Sequence, residues 1–478
     1  MNKGFKNTKM VCTIGPKSES KEMMGKLVDA GMNVVRCNFS HGDHAEQGAR
    51  FNTIREINAE KGTHVAILLD TRGPEIRTHL FEGGAVELKA GQTVAVSMTE
   101  VLGTTEKFSV NYPGLINDVA VGGTILVDDG NVELSITEIN KDAGEIICLV
   151  KNDNRVKDSR GINVPNVNLG MEFLDAKDRA DIVFGCEQEV DFLAASFVRR
   201  AADVEAIRAI FAEQGNTHTK IISKIENQEG VNNLDEIIAA SDGVMVARGD
   251  MGVEVPAEEV PMIQKEMIAK SNAAGKVVIT ATQMLESMQE NPRPTRAEVS
   301  DVANAVLDGT DAIMLSGESA AGKYPLEAVE TMARIARRTE VEIDFDEMTA
   351  RALSTESNRD VASAVALSVA DSVADLDAKV VVAATKSGST ARTISKHRPS
   401  APIIAATPCP KAARLLALNW GVHPVIVDDV ANGDEVVAQA EKVAKEFAGL
   451  EAGEIAVITA GLPIGEGNTN VMKIVEVK

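Results

Sequence analysis

Short apolar runs rich in Val, Ile, Leu and Ala recur along the first two thirds of the chain. Such runs, bounded by polar residues, predict buried β-strands. Between them, apolar residues spaced three and four apart predict helices, as over 21–30 and 203–214. Eight runs of this kind are present. The predicted strands cover residues 9–14, 33–39, 64–70, 192–197, 219–226, 243–250, 276–282 and 312–316.

Eight β/α units predict an α/β fold built on a TIM (β/α)8 barrel. A doubly wound open sheet would also hold ligands at the carboxyl ends of its strands, but the count of eight favours the barrel. Polar residues end most of the predicted strands, so we expect one functional site at that face. These residues are Asn38, Ser40, Asp70, Ser196, Lys224, Glu226, Asp250, Thr282, Ser316 and Glu318.

Two regions depart from this pattern. Between residues 83 and 168, alternating Val, Ile and Leu interrupted by Gly, Asn and Asp predict an all-β insertion. At the mouth of a barrel it would act as a lid that excludes water. After residue 347, an Ala-rich helix and strands separated by helices predict a C-terminal three-layer α/β domain with a mostly parallel sheet. The predicted domains are the barrel, 1–70 with 171–346, the inserted β-barrel lid, 71–170, and the C-terminal regulatory domain, 347–478.

The composition narrows the functional classes. A formal net charge of −22 over 478 residues argues against binding of nucleic acid or anionic lipid. The five cysteines form no C-x-x-C pair, which argues against a zinc or disulfide framework. No apolar stretch is long enough to span a membrane, and the start of the chain lacks a signal-peptide core. We therefore expect a cytoplasmic protein with no nucleic-acid partner and no membrane partner.

Lys224, Glu226 and Asp250 are the most informative residues. Lys224 and Glu226 are two apart in a predicted strand, so their side chains lie on the same side. Glu226 alone could simply neutralise Lys224. The second carboxylate, Asp250 at the end of the next predicted strand, instead favours a divalent metal beside an anionic substrate.

A second polar face precedes this triplet. Arg36, Asn38 and Ser40 occupy alternate positions at a strand end, and Arg suits a carboxylate or a phosphate. Asn38 and Ser40, with Asp70 and the carbonyl of Thr71, offer oxygens for a hard cation.

Two further segments suit phosphates. Arg77 lies in a Gly-Pro turn after the barrel mouth, although pairing with a carboxylate would explain it equally well. Segment 385–390 follows a predicted strand and opens a helix, where hydroxyls and backbone N–H groups form a phosphate cradle. Ordinary helix capping is the alternative. The candidate cradle residues are Thr385, Ser387, Gly388, Ser389 and Thr390.

Together these segments resemble the pyruvate kinase family, and the resemblance covers nearly the whole chain. The matching stretches are 13–16, 31–42, 70–78, 222–230, 246–250, 280–285, 292–298 and 314–319. The resemblance implies phosphoryl transfer from phosphoenolpyruvate to ADP, giving pyruvate and ATP in glycolysis. It implies Mg²⁺ or Mn²⁺ together with K⁺ as cofactors, and a cytoplasmic homotetramer.

The resemblance also implies a role for each site residue. Arg36 would bind the substrate phosphate, and Lys224 would stabilise the transferring phosphoryl group and the developing enolate. The catalytic residues would thus be Lys224, Arg36 and Thr282. The other implied roles are magnesium binding by Glu226 and Asp250, potassium binding by Asn38, Ser40, Asp70 and Thr71, a phosphoenolpyruvate site lined by Gly249, Asp250 and Thr282, and nucleotide binding by Arg77 and Arg160.

Several positions bear on specificity. In the family, a Glu at the position of Glu75 goes with potassium dependence, so we expect this protein to need potassium. Arg160 replaces a Lys assigned to nucleotide binding, and Arg keeps the charge but not the geometry. Asn166 stands where Gly is usual, Arg72 where Lys is usual, and Cys37 where Leu is usual.

Segment 385–390 matches the family's effector-phosphate loop. The second loop of that site, 461–470, contains no Arg, Lys or Trp, which the forms that respond to fructose 1,6-bisphosphate tend to use. Its Glu466 would repel a second phosphate. We therefore expect a sugar monophosphate or a nucleoside monophosphate as the activator.

Two other functions compete. A magnesium-dependent barrel lyase acting on pyruvate or phosphoenolpyruvate, such as an aldolase, would share the metal pair. The lid-like insertion and the Arg77 region favour a nucleotide co-substrate instead. A catalytically inactive sugar-phosphate sensor would not need the intact set of Lys224, Glu226, Asp250 and Thr282.

Overall fold

The first three strands open a parallel sheet, with a helix in each connection. The computed structural model describes residues 5–355, 360–430, 432–462 and 469–477. Ser20 caps the first helix by accepting from the amide of Met23, and Gly31 ends it in the left-handed region at φ 116°. These elements are β1 Lys9–Thr13, α1 Lys21–Ala30, β2 Val34–Asn38, α2 His44–Lys61 and β3 Ala66–Asp70.

The chain then leaves the sheet for an all-β insertion, as predicted. Apolar residues on one face of its strands form a core separate from that of the barrel. Seven strands pair in the order β4-β12-β8-β9-β10-β6-β7, and β11 pairs with β5. The elements are β4 Ile76–Arg77, a 3₁₀ turn at Glu82–Gly84, β5 Ala85–Leu88, β6 Thr93–Ser97, β7 Lys107–Ser109, α3 Leu115–Asp118, β8 Thr124–Val127, β9 Val132–Asn140, β10 Glu145–Val150, β11 Asn154–Lys157 and β12 Gly161–Asn163.

Five more strands complete the first sheet. They are β13 Phe192–Ala195, β14 Lys220–Ile225, β15 Gly243–Ala247, β16 Val277–Ala281 and β17 Ala312–Leu315. The helices are α4 Ala176–Glu187, α5 Ala201–Glu213, α6 Gln228–Asn232, α7 Leu234–Ala240, α8 Arg248–Glu254, α9 Val260–Ala273, α10 Arg296–Asp308, α11 Gly317–Ala320 and α12 Pro325–Glu340, with a 3₁₀ turn at Glu286–Gln289. The strands close in the order β1-β17-β16-β15-β14-β13-β3-β2, all parallel. The predicted TIM barrel is confirmed, and the open-sheet alternative is wrong.

Strand alternation divides the barrel into two cores. Residues such as Leu68, Ile222 and Met245 fill its interior, while their neighbours along each strand pack against the surrounding helices. Two side chains of the C-terminal region, Ala417 and Leu418, join the interior cluster. They lie at the amino-terminal end of the barrel, where the nearby Arg414 pairs with Asp191 just before β13.

The C-terminal sheet has the order β20-β19-β18-β21-β22, with helices on both faces. The three-layer α/β prediction is confirmed, but the last strand, antiparallel to β21, was not predicted. The predicted boundary after residue 346 falls inside α13. The elements are α13 Phe345–Thr355, α14 Val361–Leu376, β18 Val380–Ala384, α15 Ser389–Lys396, β19 Ile403–Thr407, α16 Pro410–Leu415, β20 Val422–Ile426, α17 Gly433–Glu446, β21 Ile455–Ala460 and β22 Val471–Glu476. No helix within the described ranges is long and apolar enough to cross a membrane.

Candidate active site

Three charged side chains, from β2, β3 and β14, meet inside the carboxyl end of the barrel. Arg36 Nε lies 2.6 Å from Asp70 Oδ2, and Lys224 Nζ lies 3.2 Å from Asp70 Oδ1. Arg36 also donates to Thr13 Oγ1 at 2.9 Å. All of these side chains are buried. A carboxylate thus holds two cations side by side, at the end where a barrel carries its functional site.

The opposite charges in this cluster stabilise one another's ionised forms. Burial alone would raise the pKa of Asp70, but Arg36 and Lys224 outweigh it and lower that pKa. Burial would likewise lower the pKa of Lys224, yet Asp70 and Glu226 raise it. At neutral pH Asp70 is therefore an anion and Lys224 a cation.

Glu226 has one buried carboxylate oxygen that accepts no hydrogen bond. Its Oε2 accepts from the amide of Phe197 at 2.6 Å. Its Oε1 lies 3.0 Å from Lys224 Nζ but has no aligned hydrogen-bond donor. Burial, reinforced by the charge of Asp250 and opposed by Lys224, raises the pKa of Glu226 to about 8. A buried carboxylate oxygen without a hydrogen bond, beside a second carboxylate, fits a divalent cation.

Asp250 approaches this site from a helix, which corrects the sequence prediction. The predicted strand 243–250 ends at Ala247, and Asp250 lies in the first turn of α8. Among the residues that the structure describes, no three or more His, Cys, Asp and Glu side chains form a metal-binding group. A magnesium ion held by Glu226 and Asp250 would take its other ligands from substrate and water.

Thr282 is held in a conformation that β-branched residues rarely adopt. Its φ is 67°, in the left-handed region. Its Oγ1 accepts from the amide of Gly249 at 2.7 Å, so the two predicted substrate-site residues are in direct contact. Arg248 donates to the Thr282 carbonyl at 2.7 Å and pairs with Asp301 through two bonds of 2.6 and 2.7 Å. Neither Arg248 nor Asp301 was predicted to have a role, because nothing in the local sequence indicates that their side chains meet.

The four predicted potassium ligands lie at adjacent strand ends. Asn38 pairs with Asp70 in the register of β2 and β3, and Asn38 Oδ1 accepts from the amide of Ser40 at 3.0 Å. The Thr71 carbonyl accepts from Ser196 Oγ at 2.6 Å. Carboxylate, amide, hydroxyl and carbonyl oxygens form a donor set that fits a hard cation.

A cleft of about 240 Å³ separates the insertion from the barrel. Its lining includes Asp129 and Asn163 of the insertion and Asp250 and Glu254 of α8. Asn163 Nδ2 donates to Glu254 Oε1 at 2.8 Å, so the insertion touches the barrel across the cleft. Burial and then the charge of Asp250 raise the pKa of Asp129. Asp250 is thus the proposed metal ligand that lines this cleft, which lies between the insertion and the barrel.

The predicted nucleotide residues flank this cleft rather than joining the central cluster. Arg77 donates to Glu75 Oε2 at 2.7 Å and to the carbonyl of Ser159 at 2.9 Å. Arg160 Nη1 lies 3.4 Å from Asp128 Oδ1. Both arginines remain about 40% exposed, at 40% and 39%. Each is paired yet partly exposed to solvent.

Three of the unusual positions have structural explanations. Asn166 has φ 62°, a conformation in which Gly and Asn are favoured, which fits the Gly usual there. Arg72 pairs with Asp175 at the start of α4. Cys37 is fully buried, and burial raises its pKa to about 12, so its thiol is inert at neutral pH.

The predicted phosphate cradle lies in the C-terminal domain. Thr385 Oγ1 accepts from the amide of Gly388 at 3.0 Å, and Gly388, at φ 84°, precedes α15. The cradle lines a cavity of about 50 Å³ together with Asp428 and Asp429, two acidic residues that the sequence argument missed. Within loop 461–470, residues 463–468, which include Glu466, lie outside the described residues.

Comparisons with known proteins agree with this architecture. The family model "Pyruvate kinase, barrel domain" matches residues 5–329, and "Pyruvate kinase, alpha/beta domain" matches residues 363–475. A pyruvate kinase of Geobacillus stearothermophilus is 54% identical over 470 residues, covering 98% of this chain and 80% of that protein. One of Bacillus licheniformis is 53% identical with the same coverage.

A solved structure gives the same result at the level of the fold. A pyruvate kinase from Cryptosporidium parvum superposes with a TM-score of 0.94 at 42% identity, covering 99% of this chain and 96% of that one. The resemblance seen in the sequence is confirmed, and these matches contradict a lyase family. This chain is an enzyme, a phosphotransferase that belongs to the pyruvate kinase family.

Proposed function

We propose that this chain transfers the phosphoryl group of phosphoenolpyruvate to ADP, giving pyruvate and ATP in glycolysis in the cytoplasm. The observation that carries the proposal is the position of Lys224, whose ammonium group Asp70 keeps charged and which lies next to Glu226 and Arg36. A loose phosphoryl transition state needs fixed positive charge more than covalent chemistry.

In this proposal, Arg36 binds the phosphate of phosphoenolpyruvate and Lys224 faces the phosphorus in transfer. The bond from phosphorus to the enol oxygen breaks, and a terminal oxygen of ADP forms the new bond. The remaining enolate takes a proton to give pyruvate. The ammonium group of Lys224 stabilises both the transferring group and the enolate oxygen, and Asp70 keeps that ammonium charged and in place.

Glu226 and Asp250 would hold Mg²⁺ or Mn²⁺, and Asn38, Ser40, Asp70 and Thr71 would hold K⁺. Bound there, these cations neutralise negative charge on the substrate and on the phosphoryl group. The proposed dependence on potassium rests on the family resemblance at Glu75. In the structure Glu75 is itself paired with Arg77.

The substrate would lie against Gly249, Asp250 and Thr282, with the nucleotide in the cleft beside Arg77 and Arg160. The contact between Gly249 and Thr282 holds this wall in one arrangement. Closure of the insertion over the cleft would exclude water, which otherwise competes with ADP for the phosphoryl group.

The test is a coupled assay of pyruvate formation with and without ADP, in potassium and in choline buffers of equal ionic strength. We expect formation that requires ADP and falls sharply in choline. Pyruvate release that is independent of ADP would overturn the proposal in favour of a lyase. Full activity in choline would overturn the proposed potassium dependence alone.

We further propose that a phosphorylated metabolite activates the enzyme at the cradle formed by Thr385, Ser387, Gly388, Ser389 and Thr390. Asp428 and Asp429 line the same cavity, and Lys386 pairs with Asp429 at 2.7 Å. Carboxylates disfavour a second phosphate but accept hydrogen bonds from sugar hydroxyls. A sugar monophosphate or nucleoside monophosphate therefore fits better than a bisphosphate. Activation by fructose 1,6-bisphosphate but by no monophosphate would contradict this.

We also propose a homotetramer. An apolar groove between α10 and α12 includes Val299, Leu307 and Ile335, and Leu307 is 52% exposed. A second copy of the chain would bury this surface. Light scattering of the purified protein should give four times the mass of the chain, and a monomer mass would refute the proposal.

A further inference from the structure

Ser196 follows β13 and is buried at the centre of the charged cluster. Its Oγ lies 2.7 Å from Lys224 Nζ, 2.6 Å from the Thr71 carbonyl and 3.2 Å from Asp70 Oδ1. Its amide donates to Thr71 Oγ1 at 3.2 Å. One hydroxyl thus contacts the residue that would meet the phosphoryl group and two of the residues that would bind potassium.

The direction of these hydrogen bonds follows from the chemistry of the groups. An ammonium group only donates, so Ser196 Oγ accepts from Lys224. The hydroxyl has a single proton, and both the Thr71 carbonyl and the Asp70 carboxylate only accept. The carbonyl is nearer, so the proton points to Thr71. Lys224, Ser196 and Thr71 therefore form a directed chain.

The segment around Ser196 leaves little freedom for this chain to rearrange. A Cβ atom built on Gly73 would lie 2.8 Å from the Ser196 Cβ, so the turn that leads into the insertion packs directly on Ser196. The next residue, Phe197, has φ 55° and donates its amide to Glu226. A left-handed conformation at a bulky residue persists only where its surroundings hold it.

We propose that Ser196 is a positioning residue that couples the monovalent-cation site to Lys224. It holds the Thr71 carbonyl and the Lys224 ammonium at a fixed separation. A cation bound at Thr71 therefore affects the position of the Lys224 ammonium, which would contact the phosphoryl group. Without the hydroxyl, the ammonium is left with only Asp70 and Glu226 as partners. This inference rests on the proposed function and deepens it.

The test compares Ser196→Ala and Ser196→Cys with the wild-type chain. The Cys side chain is close to Ser in size but makes only weak hydrogen bonds. It therefore still tests the role of the Ser196 hydroxyl if the Ala variant does not fold. The matched control is Ser223→Ala. Ser223 is also buried, and its substitution by Ala removes a single hydrogen bond, 2.6 Å to Ser241 Oγ. It precedes Lys224 in β14 and faces away from the barrel interior.

In both Ser196 variants we expect kcat to fall about tenfold or more, because a hydrogen bond to the charged Lys224 is lost or weakened. KM for phosphoenolpyruvate should change less than about threefold, because Arg36 is untouched. The potassium concentration for half-maximal rate should rise at least about threefold, since the Thr71 carbonyl is no longer held. In the Ser223→Ala control all three quantities should stay within about twofold.

Thermal unfolding tests the same coupling without catalysis. The rise in unfolding temperature produced by KCl over choline chloride should shrink in both Ser196 variants and stay unchanged in the control. If the Ser196 variants keep the wild-type kcat and the wild-type increase in unfolding temperature with KCl, the coupling role of Ser196 is overturned, while the proposed function stands. A wild-type enzyme inactive with phosphoenolpyruvate and ADP would overturn the proposed function instead.

Discussion

At the scale of single residues, the site depends on how charge is shared among few groups. Asp70 uses both carboxylate oxygens, one for Arg36 and one for Lys224. Glu226 is left with an oxygen that has no hydrogen bond, and its pKa rises to about 8. A charged lysine beside a glutamate oxygen that accepts no hydrogen bond is consistent with the proposed phosphoryl transfer.

The first prediction concerns Lys224→Met. Turnover should fall about 1,000-fold, because the charge that stabilises the transition state is removed. Binding of Mn²⁺, measured by titration, should be retained, since Glu226 and Asp250 are unchanged. Lys220→Met is the matched control: Lys220 lies on the same strand, is 37% exposed and pairs only loosely with Asp242 at 3.6 Å. An unaltered kcat in Lys224→Met would refute its role.

The second prediction concerns pH. Metal binding requires the ionised carboxylate, and Glu226 in the metal-free protein is mostly protonated below about pH 8. The affinity for Mn²⁺ should therefore weaken by up to about tenfold for each pH unit below 8 and level off above it. Titrations between pH 6.5 and 8.5 test this. Glu226→Gln should bind weakly and lose the pH dependence, whereas an equally steep dependence in that variant would exclude Glu226 as its source.

At the scale of elements, the wall of the proposed substrate site depends on the junction between β15 and α8. Arg248 opens α8 and ties it to the loop after β16 through the carbonyl of Thr282. Asp301 of α10 holds the guanidinium from the other side. Three elements are thus joined by one side chain, which explains how Thr282 keeps its unfavourable conformation.

Arg248→Lys should disturb this junction while preserving the charge. Lys cannot form the two parallel bonds to Asp301, so Thr282 should lose its fixed orientation. We expect KM for phosphoenolpyruvate to rise about tenfold, with kcat changing less. Arg208→Lys is the control, because Arg208 bonds the carbonyl of Ala240 and Asp242 away from the site. Equal KM values in the two variants would contradict this account.

At the scale of the whole molecule, the C-terminal domain is attached to the base of the barrel by buried charge. Arg398 donates to Asn272 Oδ1 at 3.1 Å, to the carbonyl of Gly309 at 2.9 Å and to Asp311 Oδ1 at 2.9 Å. Its guanidinium also lies 4.9 Å from the centre of the Trp420 ring. The domain that carries the proposed effector site is therefore anchored to the catalytic barrel.

Arg398→Met should destabilise this junction by about 3–5 kcal/mol, because Asp311 would remain buried without its cation. Trp420 is the only tryptophan of the chain, so its fluorescence during urea unfolding reports on the interface. Arg179→Met is the control: Arg179 is 53% exposed, and its pair with Glu213 should contribute less than about 1 kcal/mol. Similar unfolding midpoints for the two variants would count against the anchoring role.

Particular elements show why some features were predicted and others were not. The eight barrel strands were found because each is a short apolar run, and the insertion because its strands alternate. Strand β22, at 471–476, was missed because it is an edge strand with mixed burial. The strand predicted over 243–250 was too long, because the helix start at Arg248 carries no capping residue.

The sequence by itself determined the barrel, its insertion, the C-terminal layers and the family, since these follow from local periodicity and long motifs. It also identified Lys224, Glu226 and Asp250 as a group. Only the tertiary structure decided what touches them: the Ser196 hydroxyl on Lys224, and the Phe197 amide on one oxygen of Glu226, whose other oxygen accepts no hydrogen bond. Those contacts join residues far apart in the chain, so they exist only once the barrel closes and no local pattern encodes them.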